Sequence, residues 1–385
     1  MGVLPNQVRP HRSFGYLPLI NIRLQCTPKR DSLKLLIIQP NIRRYRADFF
    51  EALAQHAEQV SVVHFGLDQS NSDCCYARVR LDNSFWGRIV SVPKLIKEHL
   101  DHDVSIIVFD THFWNVLIAA LVGSLFKPVL FWGHGMGRSR LGRLLRWSCF
   151  SWGKGINVYG DIGREQVMRS GISSDRIFVA RNTQVVPGFF DSSGYDKEYF
   201  LFVGRLQDRK RLDILLRAYA KYVDAAGTGA LRLMLVGDGP ILAELKSLAR
   251  DLGIQKQAKF VAGTTDPDQL AKTFERAVAY VSPGHVGLGV LHSFAFGVPV
   301  ITFDKATHAP EYENLIDKIN GLILPESEAA LADTLFQIAA EPQLASRLGR
   351  EAFKTYRESA HPSYMVDKFL EAAKFAVSRP GGQGC

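Results

Sequence analysis

Short apolar runs recur along the chain, and the segments between them return apolar side chains to one face every three or four residues. In the first half, the runs are residues 33–38, 60–65, 105–109, 128–132, 156–159 and 177–180. The runs have the length of buried strands, whereas intervening segments such as 45–55 have the spacing of amphipathic helices. Strands that alternate with helices pair in parallel with right-handed crossovers. The first half is therefore predicted to form a doubly wound α/β domain.

The same alternation restarts after a connection at 181–198 that contains Gly, Ser and Pro. Predicted strands at 199–203, 231–236, 259–261, 278–282 and 298–302 alternate with helices at 212–222, 241–252, 267–277 and 289–296. We assign residues 1–32 to an N-terminal tail, 33–188 to a first domain, 189–361 to a second domain, and 362–385 to a segment with a C-terminal helix. That helix could pack back on the first domain.

Two stretches of the first half do not fit a simple alternation. Residues 66–88 are polar and irregular, and the pattern assigns them no element. Residues 113–126 form the most apolar stretch of the chain, but they are too few to cross a bilayer and are bounded by Asp110, His112 and Lys127. We predict a buried helix between two strands for this stretch.

Composition limits the class of protein. A chain of 385 residues with 46% apolar and 22% charged residues suits two globular domains. The five cysteines show neither a CxxC pair nor metal-ligand spacing, and no secretory signal is evident. We therefore expect reduced thiols and a cytoplasmic protein. The Asp pair at 266 and 268 fits a capped helix start, and the pair at 101 and 103 precedes a strand, so no metal site is predicted.

The positive charge is unevenly placed. Residues 1–186 contain 24 Lys and Arg against 14 Asp and Glu, whereas residues 187–385 contain 23 against 24. The excess belongs to the first half, which is predicted to face an anionic surface or substrate. No nucleic-acid recognition motif accompanies the charge, so a nucleic acid is not expected as partner.

Two loops of the second half could bind an anion. Residues 281–301 read as a strand end, a glycine loop, a short helix and a further strand, and the start of such a helix directs unpaired amides at a ligand. In the loop at 202–213, Gly204 allows a close backbone approach, and Arg205 and Lys210 could both reach one diphosphate. A plain turn and a solvated basic loop are the respective alternatives.

Four motifs in order give these loops a family resemblance. They are Gly204-Arg205-Leu206 with Lys210 and Asp213, Val236-Gly237-Asp238-Gly239-Pro240, Phe260-Val261 with Gly263, and Gly287-Leu288 followed by Ala295, Gly297, Pro299, Val300 and Ile301. Together they resemble the motifs of retaining glycosyltransferases of family 4, over about residues 199–325. The resemblance implies the GT-B fold, in which two Rossmann-like doubly wound domains face a central cleft.

The resemblance also implies a set of ligand contacts. A nucleotide diphosphate sugar would bind mainly to the second domain, and the acceptor to the first. Arg205 and Lys210 would hold the diphosphate, and the backbone at Val261 would meet the base. The amides of Gly287, Leu288 and Gly289 would meet phosphate and sugar. No metal ion and no cofactor is expected, because these groups neutralise the charge that develops on the leaving group.

The chain departs from the family where two glutamates usually bracket the glycine loop, since Gly284 and His292 occupy the matching positions. His292 could donate to a ribose hydroxyl or phosphate oxygen, or it could be a packed side chain. Glu311 follows Pro310, where the family often has Pro-Glu. Glu311, His285 or backbone amides could replace the missing sugar contact, although Glu311 could equally cap a helix.

Three features of the first half bear on the acceptor side. His134 follows the predicted strand 128–132, where the family commonly has a histidine near the reacting carbon, so His134 is the candidate catalytic residue; a core histidine is the alternative. Arg43, Arg44, Tyr45 and Arg46 form the first strand-to-helix loop and could bind an acceptor phosphate or remain solvated. Residues 138–154 mix Arg with Leu and Trp, which suits either anionic lipid headgroups or a helix packed on the sheet with its Arg side chains in water.

The sequence thus predicts a retaining, metal-independent hexosyl- or deoxyhexosyltransferase that uses a nucleotide diphosphate sugar. A glycan or polyprenyl-diphosphate-linked acceptor in bacterial surface polysaccharide synthesis is expected, with peripheral contact to the inner face of the cell membrane through 138–154. Because both family glutamates are replaced, the alternative is a non-catalytic nucleotide-sugar-binding partner protein.

Overall fold

The fold was analysed in a computed structural model that describes residues 31–81, 83–84, 89–137, 139–304 and 307–378. Almost all of the predicted tail, 1–32, lies outside these ranges, as do residue 138 and the chain after residue 378.

The first domain is built on a seven-stranded sheet in which every neighbouring pair is parallel. The strands of this half are β1 (Asp31–Ile38), β2 (Ala57–His64), β3 (Ala77–Arg80), β4 (Asn83–Ser84), β5 (Ile89–Val90), β6 (Val104–Val108), β7 (Val129–Gly133), β8 (Gly155–Val158) and β9 (Ile177–Val179). The sheet order is β3-β2-β1-β6-β7-β8-β9, and β4 and β5 form a separate antiparallel pair. All carboxyl ends of the sheet strands therefore meet at one edge.

Helices cover both faces of this sheet. They are α1 (Arg44–Ala54), α2 (Val92–Leu100), α3 (Trp114–Gly123), α4 (Arg140–Trp152) and α5 (Asp161–Arg169). One apolar core includes Phe49, Phe50 and Leu53 of α1, whereas the core on the other face includes Val116 of α3 and Phe150 of α4. The doubly wound first domain is confirmed.

The second domain has a six-stranded parallel sheet of order β12-β11-β10-β13-β14-β15. Its strands are β10 (Tyr199–Val203), β11 (Arg232–Val236), β12 (Ala258–Val261), β13 (Ala277–Val281), β14 (Val300–Phe303) and β15 (Gly321–Leu324). The helices of this half are α6 (Leu212–Ala226), α7 (Leu242–Asp251), α8 (Pro267–Glu275), α9 (Gly289–Ala295), α10 (Glu328–Ala340), α11 (Pro342–Thr355) and α12 (Pro362–Val377). The predicted strands and helices of this half lie within four residues of the observed ones, and the two-domain α/β class is confirmed.

The structure supplies an element that the pattern missed between residues 66 and 88. Strand β3 lies at the edge of the first sheet and pairs with β2 on one side. Its residues are exposed or half-buried. An edge strand with little burial has no apolar run to mark it, which explains why its sequence looked irregular.

The apolar stretch at 113–126 is a helix, but the prediction that this helix is buried was wrong. Only one face of α3 is covered, by Asn115, Val116, Ala119, Ala120 and Gly123. The opposite face leaves Trp114, Ile118 and Leu121 exposed. A helix that is apolar on all sides has no polar face to show which side meets solvent. Among the described helices, none combines the length and the apolar character that a membrane span requires.

The last helix, α12, joins the two domains. It follows the second-domain helices in sequence, yet its apolar face lies in the core of the first domain with Phe49 and Trp132. The Phe369 ring meets each of those two rings edge-on at a centroid distance of 4.9 Å. Trp132 lies on β7, two residues before His134, so α12 packs beneath the segment that carries this candidate residue.

We predict that Phe369→Ala lowers the unfolding free energy of the first domain by about 3–5 kcal/mol, because it opens a cavity in a closely packed aromatic cluster. All five tryptophans lie in the first domain by sequence, so urea unfolding followed by tryptophan fluorescence reports that domain selectively. Phe375→Ala, on the same helix but at a more exposed position, is the control and should lower the unfolding free energy clearly less than Phe369→Ala does. Equal losses for the two variants would contradict this role of Phe369.

Candidate functional site

The basic loop after β10 and the glycine loop after β13 form one continuous surface. The Gly284 amide donates to the Lys210 carbonyl oxygen at 3.0 Å, and the His285 amide donates to that of Arg209 at 2.8 Å. The Lys210 ammonium in turn donates to the His285 carbonyl oxygen at 2.6 Å. Three hydrogen bonds thus hold Arg209 and Lys210 against the glycine loop, at the carboxyl edge of the second sheet.

Gly284 is required by this close approach. A Cβ atom at position 284 would overlap the carbonyl oxygen of Arg209 and press on the backbone of Lys210. At Gly287, by contrast, a Cβ atom would make only ordinary contacts, the nearest at 3.7 Å. The position that the resemblance matches to a glutamate therefore has no room for any side chain while the two loops are hydrogen-bonded.

Three amides further along the glycine loop are available for a ligand, beyond Val286, whose amide donates to the His308 ring at 3.2 Å. The amides of Gly287, Leu288 and Gly289 have no hydrogen-bond acceptor among the described residues. Helix α9 begins at Gly289 and has only seven residues, so its dipole is weak. Hydrogen bonds from the amides would therefore contribute more to anion binding than the helix dipole would. Successive backbone N–H groups with a nearby ammonium suit phosphate oxygens.

Two cations accompany these amides. Burial and, to a lesser extent, the neighbouring charge of Arg209 lower the pKa of Lys210 to about 8, whereas Glu311 opposes the shift. Arg205 follows Gly204 at the end of β10, where its side chain is exposed and makes no ion pair with the described residues. Both cations lie at the same edge of the sheet, and the Lys210 ammonium, which donates one N–H to His285, has two further N–H groups to offer an anion.

Val261 ends β12 at the same edge and is exposed. The neighbouring loops are held by the Gly263 amide, which donates to the Asp238 carboxylate at 2.9 Å. The Leu206 amide donates to the Asp238 carbonyl oxygen at 2.9 Å, which joins this loop to the one that carries Arg205. The predicted base and diphosphate positions are therefore neighbours in the fold.

Glu311 lies where the two domains meet. It belongs to a 3-10 turn, Pro310–Asn314, and is buried. One of its carboxylate oxygens accepts a hydrogen bond from the Asn182 side chain, and the other is buried without a partner among the residues that the structure describes. That second oxygen would lie 3.9 Å from a Cβ atom at Gly287. A buried carboxylate oxygen beside the glycine loop is positioned to accept from a ligand hydroxyl.

His292 lies one turn into α9 and packs inside the domain. Its ring is stacked on Phe274, with centroids 6.0 Å apart and planes 5° from parallel. Burial lowers its pKa to about 4, which keeps the imidazole neutral. The ribose contact stays a prediction, and the packed arrangement that the sequence left open describes the side chain in this structure.

His134 lies immediately after β7, at the carboxyl edge of the first sheet, and is exposed. Its ring packs on Tyr159 at a centroid distance of 4.6 Å. Partial desolvation lowers the pKa of His134, and the charges of Arg46 and Arg146 add to this effect. The neutral imidazole is therefore favoured, and it can both donate and accept a hydrogen bond.

The four candidate acceptor residues do not form one exposed loop. Arg43 and Arg44 are exposed and Tyr45 is half-buried, but Arg46 is only 7% exposed. Its guanidinium donates to the Tyr159 hydroxyl at 2.7 Å and lies over the Trp132 ring at 4.1 Å. Arg46 thus supports the Tyr159 and His134 pair from below, whereas Arg43 and Arg44 remain accessible.

Sequence reasoning missed Tyr159 and Asn182. Tyr159 directly follows β8, and Asn182 follows β9 after a short connection. Both therefore lie at the carboxyl edge of a parallel sheet, which is the signal that could have identified them. The two residues connect the candidate groups, because Tyr159 supports His134 and Asn182 binds Glu311.

A second contact joins the domains beside this site. The Glu313 carboxylate accepts a hydrogen bond from the Ile162 amide at 3.1 Å, in the first turn of α5. The carboxylate lies so close to Gly160 that a Cβ atom there would overlap it. Glu311 and Glu313 thus hold the second domain against two different segments of the first.

The described residues contain no group of three or more His, Cys, Asp or Glu side chains that could hold a metal ion. Asp266 caps α8 by accepting from the amides of Asp268 and Gln269, as its sequence context predicted. Independence from metal stays a prediction.

The two parallel-sheet domains and the loops between them define the GT-B class of fold. The structure of the Anabaena protein HepE in complex with UDP superposes with a TM-score of 0.67 over 88% of this chain and 99% of that one, at 15% identity. Sucrose-phosphate synthase from Thermosynechococcus elongatus gives 0.65 over 90% and 100%, at 17% identity. At such identities the likeness concerns the fold.

Residues 190–355 match the family model of the glycosyl transferases group 1. This segment contains every loop of the second domain described above, so the match to the family lies in the second domain. The D-rhamnosyltransferase WbpZ of Pseudomonas aeruginosa is 29% identical over 197 residues, which are 46% of this chain and 49% of WbpZ. The O-antigen chain mannosyltransferase C of Escherichia coli is 26% identical over 45% of each chain. This chain spans about half the length of these curated relatives.

We predict that Gly284→Ala disrupts the contact between the basic loop and the glycine loop, because the added methyl group cannot be placed without moving the backbone of Arg209 and Lys210. The variant should melt at a lower temperature and bind nucleoside diphosphates more weakly in titration calorimetry. Gly287→Ala is the matched control, because space exists there, and it should melt like the wild type. If Gly284→Ala behaves like Gly287→Ala, the crowding argument fails.

We also predict that nucleoside diphosphate affinity falls as pH rises through about 8, because the free protein then loses the Lys210 proton that the bound anion requires. Above that pH the loss approaches about tenfold per pH unit, the limit for one linked proton. Titration calorimetry at several pH values below and above 8 measures this change in affinity. Lys210→Arg should bind without this dependence, and a wild-type affinity that is level through the range would contradict the assignment.

Proposed function

We propose that this chain is a retaining glycosyltransferase that moves a hexosyl or deoxyhexosyl group from a nucleotide diphosphate sugar to a glycan or lipid-linked acceptor. The observation that carries the proposal is the convergence of the Lys210 ammonium, the unpaired amides of 287–289 and the buried Glu311 oxygen. His134 lies on the first-domain side of the same region, and its ring packs on Tyr159. Burial raises the pKa of the Tyr159 hydroxyl, and Tyr159 is close enough to Glu311 for the carboxylate charge to contribute to this rise.

The donor would lie along the carboxyl edge of the second sheet. The base meets the backbone at Val261, and the diphosphate lies between Arg205, Lys210 and the amides of the glycine loop. These groups are fixed before the donor arrives, since the two loops are already hydrogen-bonded. Preorganised donors aimed at the leaving diphosphate stabilise the negative charge that grows on it, so no metal ion is required.

The sugar would lie between Glu311 and His134. Glu311 accepts from a sugar hydroxyl with the oxygen that has no protein partner, and so supplies the carboxylate that Gly284 cannot provide. His134, held neutral, donates to a sugar oxygen near the reacting carbon. The acceptor hydroxyl then attacks from the face that the diphosphate leaves, and the departing phosphate takes its proton. Configuration at the anomeric carbon is retained.

The relatives support a place in bacterial surface polysaccharide synthesis. Besides the rhamnosyl- and mannosyltransferases, the lipopolysaccharide core biosynthesis glycosyltransferase LpsE of Rhizobium meliloti is 27% identical over 46% of this chain and 49% of LpsE. We propose an acceptor of that class, a glycan or a polyprenyl-diphosphate-linked sugar, on the cytoplasmic side of the cell. Arg43 and Arg44 are exposed and would meet an acceptor phosphate, although the Arg44 guanidinium also contacts Asn71 and Asp48.

The alternative is a partner protein that binds a nucleotide sugar without reacting it, which the replacement of both family glutamates motivates. The purified protein should be incubated with a panel of nucleotide diphosphate sugars, and release of nucleoside diphosphate measured without and with glycan acceptors. Turnover of one donor supports the transferase. Saturable binding with no turnover in any combination supports the partner protein.

We predict that His134→Ala lowers the rate of donor turnover by about 100-fold or more, because it removes a preorganised hydrogen bond at the reacting centre. Nucleoside diphosphate affinity should change little, since His134 lies on the other domain from the diphosphate loops. His112→Ala, at an exposed histidine after the neighbouring strand β6, is the control and should turn over like the wild type. Unchanged turnover in His134→Ala would remove this residue from the mechanism.

A further inference from the structure

Helices α3 and α4 cover the same face of the first sheet and leave an unusual outer surface. They connect β6 to β7 and β7 to β8, so they lie in one layer, and their inner residues belong to one core. On α3 the outer stripe begins at Trp114, which is 54% exposed, and continues through Ile118 and Leu121. It ends at Leu125 and Phe126, just beyond the helix, and Leu125 is 79% exposed.

Helix α4 exposes its apolar side chains to a greater extent. Of its thirteen residues, only Cys149 and Phe150 are buried. Leu141 is 67% exposed and Leu144 60%, and Trp147 is also exposed. Large apolar side chains on two neighbouring helices form an extended patch, and patches of this kind mark binding surfaces.

The segment of sequence that forms the patch carries charge of one sign. From residue 111 to residue 160 the sequence contains six Lys and Arg and no Asp or Glu. Arg140 and Arg143 are exposed on α4. Lys127 and Lys154 flank the far end of the two helices, where Lys127 lies 3.9 Å from the Asp103 carboxylate of the preceding segment. An apolar surface within a purely basic segment matches a partner that is apolar inside and anionic at its boundary.

Another cation of this segment, Arg146, is turned away from the surface. Its guanidinium lies over the Phe109 ring at 4.9 Å, and its charge contributes to the lowered pKa of His134. The arrangement that the sequence left open, with apolar side chains packed on the sheet and arginines in water, holds for α4 only in part, because Cys149 and Phe150 are buried and Arg140 is exposed. The leucines of this helix face outward and one arginine faces inward, towards the cleft.

We propose that this α3–α4 face, formed by the outer residues of both helices and by Leu125 and Phe126, docks on the interface of an anionic lipid bilayer. The Leu and Trp side chains enter the boundary of the acyl chains, while Arg140 and Arg143 meet lipid phosphates. A second copy of this chain is a poor occupant, because a symmetric contact would bring two basic segments without acidic side chains together.

Docking in this way orients the cleft. Both helices run alongside the strands, between the edge of the sheet that carries His134 and the opposite edge. The docked face therefore sets the strands roughly along the membrane plane, and the cleft opens beside the bilayer near the amino end of α4. The docking itself does not depend on the transfer reaction, but it would let a lipid-linked acceptor reach His134 from the membrane.

The test is cosedimentation of the full chain with vesicles of phosphatidylcholine, alone or mixed with phosphatidylglycerol. We expect binding to the mixed vesicles that weakens with salt. The variant Leu141→Gln/Leu144→Gln/Trp147→Gln should bind at least about tenfold more weakly, because three apolar side chains no longer leave water. Arg140→Gln should lower the binding by about fivefold, the worth of one basic residue at an anionic surface. Phe336→Gln, at a 47% exposed position on α10, is the matched control and should bind like the wild type.

A second measurement uses the wild-type chain, so that its result does not depend on whether the triple variant folds. Lipids brominated near the headgroup end of the acyl chain should quench tryptophan fluorescence in the mixed vesicles, and Trp114→Phe/Trp147→Phe should bind normally while losing most of the quenching. Absence of vesicle binding, equal binding by the triple variant, or a dimer that forms through this face without lipid would overturn the proposal. Donor turnover in solution, measured on the same variants, should stay at the wild-type rate. A failure of the docking proposal can therefore be distinguished from a failure of the transferase assignment.

Discussion

The candidate site depends on the backbone contact between the basic loop and the glycine loop of the second domain. Gly284 has no side chain, so its amide and that of His285 reach the carbonyl oxygens of Lys210 and Arg209. This contact places the Lys210 ammonium on the His285 carbonyl oxygen, while the amides of residues 287–289 have no acceptor among the described residues. The surface that would bind a diphosphate is therefore assembled by the protein itself, and little reorganisation is required when a ligand binds. The same contact excludes a glutamate at position 284.

The two domains are coupled around that surface. Two glutamates lie on one short turn of the second domain. Glu311 accepts a hydrogen bond from Asn182, and Glu313 accepts one from the first turn of α5. Helix α12 returns from the second domain and packs Phe369 on Trp132, close to His134. Because buried carboxylates need hydrogen-bond partners and aromatic clusters tolerate few voids, these contacts define how the sheet edges face each other. The cleft is thus a property of both domains together.

Several predictions succeeded or failed for identifiable physical reasons. Central strands were found because they are buried on both faces and read as apolar runs. Strand β3 was missed because an edge strand with exposed residues has no such run. Arg46 was assigned to an exposed loop, although its spacing to Phe49, Phe50 and Leu53 matches the buried face of α1. The exposed side of α3 could not be found this way, because its sequence is apolar on every side.

The sequence by itself determined the order of strands and helices, the two-domain α/β class and the location of the chemically interesting loops at strand ends. These follow from local periodicity and from turn residues, which act over a few positions. Only the tertiary structure decided which loops touch. Glu311 and Asn182 are 129 residues apart, and neither local pattern indicates the other. It also decided that His292 stacks on Phe274 and that the leucines of α4 face outward, because packing between distant segments selects the buried face.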